Sequence, residues 1–236
     1  MTAPWSEGPK ELLQHAVDHL ALGGDFDRRI AMISTDNAVE LMITTYLGLP
    51  KRIRGEQGPT RRELEDSRNS FPAALDLLEK YFENKLTGVN LEEIEWYHRI
   101  RNEVYHAGHG VTVELARIQT YLELAVLLFH NLFDEDLKLS AIDHKQQETG
   151  KFLSLWNQAE LLFRSKRPKK PFGELAYYWN RDCLEALSPR AAELWDKLSN
   201  FRNIVVHDLE DIEIEELKQA NNEVNKLIEL LEEWDA

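Results

Sequence analysis

Apolar residues recur at three- and four-residue steps through most of the chain, the spacing that lines one face of an α-helix. Leu115, Ile118, Leu122, Ala125, Phe129 and Leu132 follow this step in the middle of the chain. Leu217, Ala220, Val224, Leu227, Leu231 and Trp234 follow it near the end. Alternation of the strand type never runs beyond a few residues, and no Asn-Gly or Asp-Gly hairpin dipeptide occurs. The pattern predicts an all-α fold. Glycine, proline and polar runs place the boundaries, giving helices over 9–22, 25–47, 71–86, 91–106 and 113–133. Beyond them come 151–165, 173–187, 190–206 and 212–234. The segment 47–70, rich in Gly, Pro and Arg, is expected to be a long polar loop, and 143–150 a linker.

The second half repeats the first in shortened form. Asn37-Ala38-Val39-Glu40-Leu41 matches Asn157-Gln158-Ala159-Glu160-Leu161, and a basic segment follows each. Further on, Arg101-Asn102-Glu103-Val104-Tyr105-His106 matches Arg202-Asn203-Ile204-Val205-Val206-His207, and a long amphipathic helix closes each half. Four features in one order point to duplication and to two helical domains, 1–142 and 143–236, the second a shorter repeat.

Composition narrows the class. The chain has 236 residues, 28 basic and 42 acidic, for a formal net charge of −14. A hydrophobic share of 43% suits a globular protein rather than a disordered one. The single cysteine, Cys183, rules out an intrachain disulfide scaffold and suits a reducing compartment. The first ten residues carry charge where an export signal needs an apolar stretch, and the longest apolar run, 124–129, is too short to span a bilayer. A cytoplasmic protein with no membrane partner is therefore expected.

The repeated hexapeptide carries the chemistry. Tyr97, Ile100 and Val104 form an apolar stripe on its helix, as do Leu198, Phe201 and Val205 in the second half. Asn102 lies about 200° from Ile100, and His106 stacks four residues beyond Asn102 on the same face. Arginine offers phosphate a permanently charged planar fork of donors, and histidine exchanges a proton near neutrality. Such a pair, set against a phosphodiester, suits metal-independent cleavage of RNA by attack of the 2′-hydroxyl, leaving a cyclic phosphate and a 5′-hydroxyl. No cofactor and no metal is needed for that route. If the halves pack face to face, the two motifs form one composite site.

An arginine, a polar residue, three residues and a histidine at a helix end in an all-α domain resembles the signature of HEPN domains, here present twice. The resemblance implies two HEPN-like helical bundles in tandem, packed as an intramolecular pseudo-dimer. It also implies endoribonuclease activity of the toxin or antiphage-defence kind. Carried over by position, Arg101 and Arg202 would hold the phosphate, and His106 and His207 would act as acid or base. Asn102 and Asn203 take the polar position after each arginine, and Glu40 and Glu160 would support the site through hydrogen bonds. Lys51, Arg52 and Arg54 in the first basic segment, and Lys166, Arg167, Lys169 and Lys170 in the second, would grip the RNA backbone. Partners in this reading are RNA and an antitoxin or regulatory protein, with a homodimer left open. Family members regulated by AMP transfer carry a tyrosine two residues after the histidine; Gly108 and Leu209 stand there, so that control is not implied. The alternative is a noncatalytic HEPN-like nucleotide-binding or protein-interaction module.

Other histidines have simpler readings. His15 and His19 have a metal-ligand spacing but no local third ligand, which makes them a solvated pair. His98, His106 and His109 make a weak metal set, because only His106 is repeated.

Overall fold

The computed structural model describes residues 4–106, 113–137, 144–168, 176–207, 209 and 212–234. Among them every regular element is helical. The elements are α1 (Glu7–Leu22), α2 (Asp25–Gly48), α3 (Lys51–Arg54), α4 (Arg61–Ser67), α5 (Phe71–Phe82), α6 (Leu91–His106) and α7 (Leu115–Phe133). A 3₁₀ turn, Glu83–Lys85, extends α5. After these come α8 (His144–Lys166), α9 (Ala176–Leu187), α10 (Pro189–His207) and α11 (Ile214–Glu232). The chain divides into two compact units, Met1–Ile142 and Asp143–Ala236. Among the described residues no helix is long and apolar enough to cross a membrane.

In the first unit α2 is the central element, packing against α1, α5, α6 and α7. Its Ala31, Met32, Ala38, Val39, Met42 and Ile43 are fully buried. The turn from α1 into α2 needs a left-handed residue, and Gly23 supplies it at φ 78°, its N–H closing on Leu20 O at 3.2 Å. In the second unit α8 packs along α11, and α10 packs on both α9 and α11. Trp156, Trp195, Phe163 and Trp234 pack in series there, with ring centroids 4.8, 4.8 and 6.0 Å apart.

Two expectations from the sequence are corrected. The segment 47–70 is not one loop, since it contains α3 and α4. Thr60 and Glu63 form a reciprocal capping box that starts α4, and the half-buried Glu63 carboxyl is further held by Lys80 at 2.7 Å and by Tyr81. These hydrogen bonds, led by that from Lys80, bring its pKa down to about 2. Residues 144–150 of the expected linker are helical, because α8 begins at His144. Its polar residues are absorbed by packing: Gln146 and Thr149 are buried, and Asn221 of α11 donates to Glu148 Oε2 at 2.7 Å. A polar stretch reads as a linker only while its hydrogen-bond partners, 73 residues away in this case, are out of sight.

Candidate functional site

Three helices of the first unit bring one charged cluster together. Asp36 and Glu40 stand one turn apart on α2, and His98 and Arg101 one turn apart on α6. The α2–α6 packing faces the two pairs, and α7 supplies Tyr121. Arg101 Nε–H donates to Asp36 Oδ2 at 2.6 Å, His98 Nδ1 meets the same oxygen at 3.0 Å, and Tyr121 O–H donates to Asp36 Oδ1 at 2.7 Å. Arg101 also donates through Nη2 to Glu40 Oε1 and through Nη1 to Asn102 Oδ1, the latter at 2.9 Å. His98 Nδ1 lies 3.2 Å from Glu40 Oε1.

Packing fixes these side chains from behind. Tyr97 stacks on Tyr121 with centroids 4.4 Å apart and planes 8° from parallel, and Phe71 at the start of α5 covers the His98 ring at 4.3 Å. Asp36 is fully buried, a position a carboxylate holds only when paired and hydrogen-bonded. Burial opposes its charge, yet the bond from His98, the Arg101 charge and the Tyr121 bond together hold its pKa below the usual value. Burial likewise opposes the charged form of His98, but its bonds to Asp36 and Glu40 win and raise its pKa to about 9. Burial and then the Asp36 charge push the Tyr121 phenol well above its ordinary range, so it serves as a donor. At neutral pH two carboxylates face two cations, and the cluster is electrically closed.

Asp36, Glu40 and His98 also place one ligand atom each within 4.8 Å of one another. The Asp36 and Glu40 oxygens nearest His98 already accept from Arg101, and the His98 nitrogen carries a proton. An ion would have to displace both a guanidinium and a proton, and we assign none.

The other predicted residues are placed unevenly. His106, on the last turn of α6, is exposed, with its ring edge-on to the exposed Tyr105 at 5.4 Å. Since α6 stays helical through His106, Arg101 and His106 are separated by about 140° around the axis. In the second unit Arg202 is buried on α10, Asn203 is exposed and His207 is half-buried. Glu160 lies 4.0 Å from Arg164, and Asn157 is buried.

Of the basic residues, Lys51 and Arg52 are exposed. Arg54 is engaged internally: its Nη1 donates to Tyr46 O at 3.1 Å and Leu47 O at 2.9 Å, closing the end of α2, and its guanidinium lies 4.7 Å over Phe82. Lys166 donates to the carbonyls of Glu232 and Trp234, at 2.6 and 2.9 Å, and so finishes α11. Arg167 donates to Asn180 and covers Phe163. Lys169, Lys170, Gly108 and His109 lie outside the described residues. His15 is exposed and His19 half-buried, and their Nδ1 atoms lie 2.9 Å from Ser34 Oγ and Asp27 Oδ1 respectively.

Sequence reasoning missed Asp36, His98 and Tyr121 as members of the cluster. The signal was the pairing of Asp36 with Glu40 at four residues and His98 with Arg101 at three. Because neither Asp36 nor His98 is repeated in the second half, a search for repeated chemistry passes over both. Comparison with protein-family models, with curated proteins and with solved structures found no match.

Proposed function

We propose that this chain is a metal-independent endoribonuclease of the HEPN kind, with Arg101 and Arg202 holding a phosphodiester and His106 and His207 exchanging protons. One histidine takes the proton of the 2′-hydroxyl as that oxygen attacks phosphorus. The bond to the 5′-oxygen breaks, and the other histidine protonates the leaving oxygen, giving a 2′,3′-cyclic phosphate and a 5′-hydroxyl. The observation that carries the reading is the contrast on α6. Arg101 is held rigidly at its base by the buried Asp36, while His106, one turn and a half further on, is exposed to a ligand. Such a transfer requires a fixed anion-holding group and an accessible proton carrier, which the roughly 140° between Arg101 and His106 on α6 leaves to different copies of the motif. The reading needs the two motifs to meet, within one chain or between two. A toxin or antiphage setting, with RNA and a neutralising or activating protein as partners, follows from the family resemblance alone.

A second reading has its own support. Three nitrogens of Arg101 are already engaged by Asp36, Glu40 and Asn102, and Arg202 is buried, which suits a noncatalytic module in which both arginines serve packing. Incubation of the full chain with mixed RNA in EDTA separates the two. Cleavage should fall at least about 100-fold in Arg101→Ala, His106→Ala, Arg202→Ala and His207→Ala. Cleavage that persists when all four are replaced removes the composite site, and a wild type inert at every salt concentration favours the noncatalytic module.

A further inference from the structure

The two carboxylates that hold Arg101 differ in kind. Asp36 has no exposed surface and accepts three hydrogen bonds, from Arg101, His98 and Tyr121. Displacing it would strand three donors, the half-buried Arg101 and His98 on α6 and the buried Tyr121 on α7. Glu40 has 36% of its side chain exposed and receives Arg101 only through the outer nitrogen Nη2. The Nε–Nη2 edge of a guanidinium is one of the two that grip a carboxylate or a phosphate with two parallel bonds. Here that edge is split, its inner half on Asp36 and its outer half on Glu40.

We propose that Glu40 stands where a phosphate oxygen binds: it is an exchangeable latch on the outer edge of Arg101, and Asp36 is the permanent anchor that keeps the guanidinium aimed. The ligand class is a phosphate group, free or within a nucleic-acid backbone, and the proposal rests on the reading of Arg101 as the phosphate holder. A phosphate entering the site displaces one carboxylate from Nη2 and from His98, trading one anion for another without exposing Asp36. Glu40 therefore lowers the affinity of the resting site for anions by direct competition.

The test is calorimetric titration of the full chain with inorganic phosphate and, separately, with a 2′-O-methyl oligoribonucleotide that cannot be cleaved. Glu40→Ala should bind phosphate about tenfold more tightly than the wild type, Glu40→Gln by a smaller factor, and the double variant Glu40→Ala/Arg101→Ala should lose the gain. Asp36→Asn should weaken binding in the Glu40→Ala background, because the guanidinium loses its anchor. If both Glu40 variants bind no better than the wild type while Arg101→Ala binds less, Glu40 is not the occupant, and the latch falls although Arg101 still holds the anion. A gain that survives removal of Arg101 also overturns the latch. A gain that requires Arg101, in a chain that cleaves no RNA in EDTA, upholds the latch and removes the ribonuclease reading.

Discussion

The two repeated motifs carry the same arginine beside different residues at the matched positions. Matching Asn37–Leu41 with 157–161 puts Trp156 at the position of Asp36, and matching Arg101–His106 with 202–207 puts Ser199 at that of His98. The first unit therefore surrounds its arginine with a buried acid, a protonated histidine and a phenol. The second buries Trp156 against Trp195 and buries Arg202 itself. What the comparison teaches is that the motif does not by itself determine which residues stand at the Asp36 and His98 positions. A charged cluster tolerates partial exposure because every member is paired, whereas an aromatic pack stabilises by area and gives the arginine no carboxylate at the Asp36 position. The halves are expected to differ in stability, pH response and contribution to any shared site.

The largest expected effect breaks the first half of this contrast. Asp36→Ala removes the acceptor common to Arg101, His98 and Tyr121, leaving cations and a phenol partly buried without their partner. It should destabilise the first unit by about 3–5 kcal/mol. Hydrogen-exchange protection of α2 and α6, followed beside that of α8 and α10, reports the units separately. Loss of protection confined to the first unit is the expected result. An Asp36→Ala chain as well protected in α2 and α6 as the wild type would show that the cluster does not hold these helices together.

A smaller effect sharpens the same point. Tyr121→Phe deletes one hydrogen bond to a charged group and leaves the stack on Tyr97 intact, so a loss of about 1.5–3 kcal/mol is expected. The Asp36 carboxyl should then titrate higher than in the wild type, since one of the bonds favouring its charge is gone. Carbonyl NMR of Asp36 reads this shift directly, and an unchanged titration would mean that the phenol contributes nothing to the carboxylate.

How much of this was legible beforehand follows from where each signal lay. Helices whose buried face repeats every three or four residues, such as α6 and α7, showed themselves by period alone. The start of α8 did not, because Gln146, Glu148 and Thr149 are satisfied by partners that only tertiary packing supplies. The short α3 has no buried residue to create a period, and its last residue, Arg54, binds α2 carbonyls. In the candidate site Arg101, Asn102 and Glu40 were visible through duplication, and the first two are joined by a hydrogen bond. Asp36 and His98 were hidden by the same logic, since a feature present in one half alone leaves no repeat. Tyr121 stands in no motif; it is fully buried, with its hydroxyl turned to the one buried acid of α2.

The smallest expected effect tests the asymmetry through protons. His98 has an ordinary pKa of 6.5 when unfolded and about 9 in the folded chain, where it faces Asp36, Glu40, Arg101 and Tyr121. Between those values the folded state binds more protons than the unfolded one, so stability must fall as pH rises. The stabilisation is complete below pH 6.5 and is lost as pH passes through about 9. With allowance for solvent screening at a site open on the Glu40 side, the loss is about 1–2 kcal/mol. Ser199 at the matching place cannot titrate, so α10 should show no counterpart of this decline. Urea unfolding at a series of pH values, with each unit followed by hydrogen-exchange pulses at one fixed pH, compares the two directly. His98→Gln should flatten the decline in the first unit and leave the second unaltered. If the decline persists in His98→Gln, or appears equally in both units, His98 is not its source. The difference between the motifs would then lie in packing and not in charge.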